Sequence, residues 1–158
     1  MTDSSRSKSA GPSPIVAVTG ATGFIGGHVA RALDAAGWRV RALVRRAGRG
    51  PGFATRIVGT LEDRQSLERL VEGVDAVVHC AGLVRAASAA EFHAVNEAGV
   101  GRLAAAAAAA AANRRSPPRF ILMSSLAARE PALSSYGSRK RDGEQALARH
   151  GDRLAWAA

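Results

Sequence analysis

The chain has 158 residues, 47% of them hydrophobic, which is enough for one domain with a sizeable core, and no apolar run approaches the ~20 residues of a membrane span. Its one cysteine, Cys80, excludes an intramolecular disulfide, and the N-terminus lacks the basic start and apolar stretch of a secretion signal, so we expect a cytoplasmic protein that does not enter a membrane. The net charge of +9 comes from arginines spread along the chain with no aromatic residues interleaved for base stacking, which favours a solvated basic surface over a nucleic-acid partner.

The first 13 residues, Met1 to Ser13, are rich in Ser, Lys, Gly and Pro and show no hydrophobic periodicity. Such a composition predicts a disordered leader, because it cannot bury enough apolar surface to become ordered. The folded domain is therefore expected to cover residues 14–158 and to begin with a strand at Ile15–Thr19.

Three glycines follow this first strand at intervals of three residues, and an amphipathic helix is predicted at Phe24–Ala36. Gly20 suits a tight turn, Gly23 lets the backbone approach a pyrophosphate without a Cβ in the way, and Gly26 lets the helix lie close to the strand. The helix N-terminus then faces the anion with free N–H groups and the positive end of its dipole. Strand, glycines and helix in this order predict a cradle for a dinucleotide phosphate rather than a merely structural turn.

Strands and helices alternate along the rest of the chain. This pattern predicts a Rossmann-type α/β fold, a doubly wound parallel sheet with right-handed crossovers and helices on both faces. Gly37 and Gly73 stand where helix C-caps are expected, and Pro117-Pro118 stops a helix before the next strand. The other predicted elements are strands Arg39–Val44, Thr55–Val58, Ala76–His79 and Arg119–Ser124, and helices Asp63–Val71, Ala90–Ala112 with a possible break near Asn96, and Ser135–Arg149.

An alanine run occupies residues 104–112. Alanine is the best helix former, and Asn113 with Arg114-Arg115 suits a helix C-terminus. A packed helix whose small side chains allow close approach is the favoured interpretation, and a composition-biased exposed helix is the alternative.

A serine, a tyrosine and a lysine form a second group late in the chain. Ser124-Ser125 comes at the end of a predicted strand, and Tyr136 precedes Lys140 by four residues, so these two side chains share one face of a helix. A phenol with a pKa near ~10 is a poor acid-base catalyst at neutral pH, but a neighbouring ammonium favours the phenolate. A serine hydroxyl at the strand end can hydrogen-bond the substrate oxygen that exchanges the proton. The group therefore predicts acid-base chemistry on a substrate oxygen.

Taken together, these features resemble the extended short-chain dehydrogenases/reductases, also called the NAD-dependent epimerase/dehydratase family. The resemblance covers about Ile15 to Ala158, which corresponds to the N-terminal portion of a typical member. The matching motifs, in family order, are Thr19-Gly-Ala-Thr-Gly-Phe-Ile-Gly-Gly27, Asp75-Ala-Val-Val-His-Cys-Ala-Gly82, Asn96-Glu-Ala-Gly-Val-Gly101, Ser124-Ser125 and Tyr136-Gly-Ser-Arg-Lys140.

The resemblance implies an NAD(P)-dependent oxidoreductase, epimerase or dehydratase acting on a nucleotide sugar or a similar hydroxyl/carbonyl compound. It implies that Tyr136 is the catalytic acid-base and that Lys140 promotes its ionisation and binds the ribose. Ser125 would orient the substrate, with Ser124 as the alternative. The implied cofactor contacts are Gly20, Thr22, Gly23, Phe24, Ile25, Gly26, Arg45, Ala81, Gly82, Tyr136 and Lys140.

Three further residues are assigned structural roles at this stage. Asn96 matches a position that stabilises the active-site helix in relatives. His79 and Cys80 are interpreted as buried strand-end residues, because neither has a metal-binding partner at a useful spacing. We therefore expect no metal site.

Two positions depart from the family pattern. NAD-preferring relatives carry an acidic residue at the end of the second strand, where it binds the ribose hydroxyls, but this chain has Arg45-Arg46 there. An arginine can pair with a 2′-phosphate, so NADP is favoured over NAD, with Arg45 as the better candidate, Arg46 as the second, and two solvated arginines as the alternative. The aspartate that many members use after the third strand to hold the adenine is replaced by Thr60.

The last residues are expected to begin a sixth strand, at Leu154–Ala157, where relatives continue into more sheet and a substrate-binding region. We therefore interpret the chain as truncated, with the cofactor platform but without most residues that choose a substrate. The alternative function is a non-catalytic NAD(P)-binding sensor or assembly module, or an inactive fragment of such an enzyme. Because relatives often pair through the corresponding helices, those at 98–112 and 135–149 are expected to form a homodimer.

Overall fold

A computed structural model of the chain describes residues 12–84, 87–112 and 114–158, and within them six strands form one sheet. Each neighbouring pair is parallel, and the order across the sheet is β3-β2-β1-β4-β5-β6. This is the Rossmann-type order, so the predicted fold class is confirmed. The predicted leader falls mostly on residues 1–11, which lie outside the described residues. The strands are β1 (Ile15–Thr19), β2 (Arg39–Val44), β3 (Thr55–Val58), β4 (Ala76–His79), β5 (Arg119–Leu122) and β6 (Ala155–Ala157).

Five α-helices connect these strands within the described residues. The predicted long helix is divided at Glu97, which confirms the expected break near Asn96. Gly37 and Gly73 follow the first two helices with positive φ values of 85° and 64°, as expected after helix ends. The helices are α1 (Phe24–Ala35), α2 (Arg64–Val71), α3 (Ala89–Asn96), α4 (Ala98–Ala111) and α5 (Ser135–Ala148).

The segment between β5 and α5 differs from the prediction. β5 ends at Leu122, two residues before the predicted end, because the Ser124 N–H turns back to the Leu122 carbonyl oxygen at 2.9 Å. Two short 3₁₀ segments, Leu126–Arg129 and Pro131–Leu133, then lead to α5. The sequence pattern did not predict these segments, which bring the end of β5 to the beginning of α5.

Each face of the sheet has its own hydrophobic core. On one face Ala17, Val77 and Phe120 pack with residues of α2, α4 and α5, and the buried part of this cluster includes Ala104, Ala107 and Ala108. The alanine run is therefore a packed helix, as the favoured interpretation predicted. The other face packs Val16, Val18 and Val78 with Ala30 of α1.

The strand order reverses next to β1, which lies between β2 and β4. The chain leaves β1 for α1 on one face of the sheet and leaves β4 for helices on the other face, so a crevice opens at the carboxyl ends of these strands. Within the described residues, no helix combines the length and apolar character needed to cross a bilayer.

Candidate active site

A cleft with a volume of about 350 Å³ opens at the carboxyl ends of β1 to β4. It lies where the strand order reverses, which is where open parallel sheets bind their ligands. Its walls come from the loops that follow these four strands. Of the residues predicted to contact a cofactor, the cleft brings together Gly20, Thr22, Gly23, Arg45, Ala81 and Gly82.

The turn between β1 and α1 has glycines for two different reasons. Gly20 has a φ of +73°, and a Cβ there would lie 2.6 Å from the backbone nitrogen of Ala81. A Cβ on Gly26 would collide with the Gly20 carbonyl oxygen. A Cβ added to Gly23, in contrast, would have one described atom within 4 Å, the Gly20 carbonyl oxygen at 3.3 Å. The fold thus requires Gly20 and Gly26, whereas Gly23 keeps the wall of the cleft open.

Gly23 is also the N-cap of α1, and no side chain of the described residues caps this helix end. Its own N–H donates to the Gly20 carbonyl oxygen at 2.9 Å. The N–H groups of Phe24, Ile25 and Gly26 belong to the first turn, where a helix provides no internal partners. These three residues are adjacent to the cleft rather than part of its lining. The first turn of α1 can therefore offer backbone donors and the positive end of its dipole to an anion.

Thr19 and His79 end the neighbouring strands β1 and β4, and both are fully buried. Thr19 Oγ1 lies 2.6 Å from His79 Nδ1 and accepts a hydrogen bond from the Ala81 N–H at 3.3 Å. Within the described residues, His79 Nε2 is buried without a hydrogen-bond partner. Burial, and to a lesser extent the charge of Lys140, lower the pKa of His79 to about 3, so the imidazole is neutral at pH 7. This pair anchors the loop that continues along the cleft.

Lys140, Tyr136 and Ser125 are not among the residues that line the cleft, but the amine of Lys140, on α5, lies close to it. Lys140 is only 8% exposed, and Nζ donates to the Met123 carbonyl oxygen at 2.5 Å. A Cβ added to Gly82 would lie 3.9 Å from Nζ, so the amine is next to a residue that lines the cleft. Burial lowers the pKa of Lys140, while the charge of Glu144, and that of Cys80 when its thiol is ionised, oppose this change.

The two serines after β5 have different partners. Ser124 Oγ donates to Glu144 Oε1 at 2.5 Å. Ser125 caps the 3₁₀ segment Leu126–Arg129, where its Oγ accepts a hydrogen bond from the Ala127 N–H at 3.2 Å. A hydroxyl that accepts a bond still has its own proton to donate. Ser125 therefore retains a donor, whereas that of Ser124 is engaged.

Tyr136 is half-buried in the first turn of α5. Ser134 caps this helix, since its Oγ accepts a hydrogen bond from the Gly137 N–H at 3.0 Å. A Cβ on Gly137 would lie 2.5 Å from the Ala127 carbonyl oxygen, so α5 begins in close contact with the segment that follows Ser125. The helix that carries Tyr136 and Lys140 is thus held against the serine segment.

Asn96 is buried at the end of α3 and binds the loop after β4. Its amide donates to the Leu83 carbonyl oxygen at 2.8 Å, and its Oδ1 accepts from the Leu83 N–H at the same distance. The backbone oxygen of Asn96 lies against α5, where a Cβ on Gly143 would collide with it. Asn96 therefore fixes both the cleft loop and the approach of α5.

The sequence of residues 16–151 matches the NAD dependent epimerase/dehydratase family. The chain belongs to this family. The match includes the glycine turn, the cleft and α5, so the resemblance identified from the motifs is confirmed.

Relatives within the family extend beyond this chain. A ceramide reductase from Caulobacter vibrioides is 46% identical over 137 residues, which are 84% of this chain and 41% of that protein. A short-chain dehydrogenase/reductase superfamily protein from Agrobacterium tumefaciens, solved with bound NAD, is 30% identical with a TM-score of 0.74, over 90% of this chain and 46% of that one. MoeE5, solved in complex with UDP-glucose and NAD, is 25% identical with a TM-score of 0.75, over 91% of this chain and 52% of that one. The chain thus spans about half the length of these proteins.

Several residues of the family cleft were not assigned to it from the sequence. The signal that could have found most of them is their position after the carboxyl ends of β3 and β4, because those ends meet at one edge of the sheet. Both arginines after β2 are exposed, and Arg45 lines the cleft whereas Arg46 is not among the lining residues. The prediction that Cys80 is a buried strand-end residue is wrong, because it follows the end of β4, is half-buried and lines the cleft. The additional lining residues are Thr19, Leu43, Gly59, Thr60, Leu61, Glu62, Cys80, Leu83 and Val95.

Proposed function

We propose that this chain provides the dinucleotide-binding and acid-base parts of an NAD(P)-dependent oxidoreductase of the epimerase/dehydratase family. One observation carries the proposal. At a single cleft, the open glycine wall at Gly23 faces the same space as Gly82, and the Lys140 amine lies next to Gly82. If the glycine turn and Lys140 had only structural roles, nothing would require them to lie at the same cleft.

The cleft fits a nicotinamide dinucleotide because Gly23 leaves space next to the N-terminus of α1. Any side chain larger than hydrogen would fill this space. The turn Gly20 to Gly23 and the first turn of α1 would hold the pyrophosphate through backbone N–H groups. Ala81 and Gly82 would lie along the cofactor, and Tyr136 and Lys140 would contact its ribose. A bound nicotinamide dinucleotide supplies the hydride donor or acceptor.

The proposed proton chemistry belongs to three side chains. Tyr136 gives a proton to the substrate oxygen or takes one from it. The ammonium of Lys140, one helical turn away, stabilises the phenolate form because opposite charges attract strongly in a partly buried site. Ser125 offers its free donor to the same substrate oxygen, and the engagement of Ser124 with Glu144 argues against the alternative serine.

Lys140 is proposed to bind the ribose of the cofactor through its ammonium group. We expect Lys140→Met to weaken binding of the reduced cofactor by about tenfold, because a charge-assisted hydrogen bond is lost. Arg139→Met removes a cation of the same helix that is paired with Glu97 and Asp142, and it should leave the affinity nearly unchanged. Equal affinities of Lys140→Met and the parent chain in a fluorescence titration would contradict the proposed role of Lys140.

Arg45 is proposed to favour NADP over NAD by pairing with the 2′-phosphate. Its position at the end of β2, exposed and in the cleft lining, supports this choice. We expect Arg45→Asp to change the ratio of the NADP and NAD dissociation constants by about tenfold or more in favour of NAD. Fluorescence titration with both cofactors measures the ratio, and Arg46→Asp serves as the control. If both variants shift the ratio equally, the effect is general surface charge.

The substrate is proposed to be a hydroxyl or carbonyl compound of one of two classes. The 46% identical ceramide reductase favours a lipid ketone, and Leu126 and Leu133, 77% and 82% exposed in the segment between Ser125 and Tyr136, could provide apolar contacts. The UDP-glucose complex of MoeE5 favours a nucleotide sugar. Reduced-cofactor consumption with a dispersed long-chain ketone, compared with a UDP-linked keto sugar, separates the two classes.

A further inference from the structure

Glu144 is a carboxylate on α5 whose two oxygens are both held. Oε1 accepts the hydrogen bond from Ser124 Oγ at 2.5 Å, and Oε2 pairs with Arg141 Nη1 at 3.2 Å. The side chain is 20% exposed. This carboxylate is therefore fixed between the end of β5 and the surface of α5.

Glu144 and Lys140 are one helical turn apart, and they contact two successive residues of the strand end. Lys140 donates to the Met123 carbonyl oxygen, while Glu144 accepts from Ser124. These two hydrogen bonds connect the same turn of α5 to the same short segment. They hold the ammonium and the carboxylate in a fixed relation, although they do not form a direct ion pair in the described structure.

A buried ammonium needs a compensating negative charge, because burial disfavours the charged form. At the end of β4, His79 is neutral at pH 7, and burial raises the pKa of the Cys80 thiol, so neither supplies that charge. Asn96, at the end of α3, places its amide oxygen near Gly82, but the amide group is neutral and does not supply a negative charge. Among the described groups whose charge raises the pKa of Lys140, Glu144 is the one carboxylate.

The other charged residues of α5 are engaged elsewhere. Arg139 pairs with Asp142 at 3.0 Å and with Glu97 at 3.6 Å, and Arg141 is half exposed against Glu144 itself. Asp142 is thus a carboxylate on the same helix that has its own partner. It provides a matched comparison for the charge of Glu144.

We propose that Glu144 is a positioning residue, held by Ser124, that compensates the buried charge of Lys140 and fixes this turn of α5 against the end of β5. The inference rests on the proposed function, since it gives Glu144 a task only if Lys140 serves Tyr136. Glu144 acts through Lys140 and is not among the residues that line the cleft. It also gives Ser124 a role distinct from that of Ser125.

The chain has two lysines, Lys8 and Lys140, so isotope-labelled lysine gives two side-chain NMR signals, one of them an internal reference. We expect Glu144→Gln, which keeps the shape but loses the charge, to lower the titration midpoint of Lys140 by about 1–2 pH units without moving that of Lys8. Asp142→Asn should move the Lys140 midpoint far less. Ser124→Ala, which releases the carboxylate but keeps its charge, should cause a smaller shift in the same direction.

Equal Lys140 midpoints in Glu144→Gln and the parent chain, with both folded by circular dichroism, would overturn the inference. So would a shift as large in Asp142→Asn, because the effect would then be general helix charge. If Glu144→Gln does not fold, Glu144→Asp and Ser124→Ala give the same comparison, and unchanged midpoints in both count against the inference. The proposed function fails separately, when Lys140→Met leaves the affinity for the reduced cofactor unchanged.

Discussion

Replacement of Gly23 by valine is expected to weaken dinucleotide binding by about 100-fold, which corresponds to the loss of one or two charge-assisted hydrogen bonds. The added side chain would occupy the open space of the cleft wall, where a pyrophosphate would meet the N-terminus of α1. The fold should change little, because φ at this position is −88° and the nearest described atom is 3.3 Å from a Cβ. The loss of a favourable N-cap residue should lower the free energy of unfolding by about 1 kcal/mol.

Fluorescence titration with the reduced cofactor and urea unfolding measure these two effects separately. Gly27→Ala is the matched control, since its Cβ would make an ordinary contact of 3.4 Å and lies away from the cleft lining. Gly26→Ala should do the opposite of Gly23→Val and damage the fold itself, because its Cβ collides with the Gly20 oxygen. Unchanged cofactor affinity in a folded Gly23→Val variant would refute the phosphate cradle.

Acid is expected to destabilise the fold through His79. The folded protein binds a proton there only near pH 3, whereas an unfolded histidine binds it below about pH 6.5. Between these values the unfolded state holds more protons, so the free energy of unfolding falls as the pH falls. Over the interval from pH 7 to pH 4 the loss from this one group is about 3 kcal/mol.

Urea unfolding at pH 7 and pH 4 tests this expectation. His79→Asn keeps an amide that can reach Thr19 Oγ1 but has no proton to gain, so its unfolding free energy should depend less on pH even if it is lower throughout. His28→Asn, at an exposed position of α1, is the control and should retain the parent dependence. If His79→Asn and the parent lose equal stability, the acid sensitivity comes from other groups.

The regular elements were predictable because their signals are local. β1, β2, β3 and β4 have the predicted bounds. Short apolar runs bounded by turn residues mark the buried strands β1 and β4, whereas β2 and β3 mix polar and β-branched residues between turn signals. The glycine turn was also predictable, because its three glycines are regularly spaced between a strand and a helix, although Gly20 is also required by the distant backbone of Ala81. The end of β5 was not predictable, because Met123 and Ser124 continue the strand pattern in the sequence, while the Ser124 N–H bonds back to the Leu122 carbonyl oxygen and turns the chain away.

The parts of the site that sequence reasoning missed depend on distant contacts. The choice between Ser124 and Ser125 turns on Glu144, which lies 20 residues from Ser124. Glu144 follows Lys140 by four residues in the sequence, but many helices contain a lysine and a glutamate at this spacing. Likewise, the position of Leu83 in the cleft follows from its two hydrogen bonds to Asn96, and no local sequence pattern predicts these bonds.

The close packing of α5 has a consequence for the order in which the site forms. Gly137 and Gly143 lie inside this helix and allow its approach to Ala127 and Asn96, but each glycine weakens a helix by about 1 kcal/mol relative to alanine. An isolated α5 would thus be largely unfolded, since short helices are already marginal in water. Its helical structure depends on docking against the sheet and α4. Tyr136 and Lys140 therefore acquire their relative positions cooperatively with the whole domain, and no local segment can hold them ready in advance.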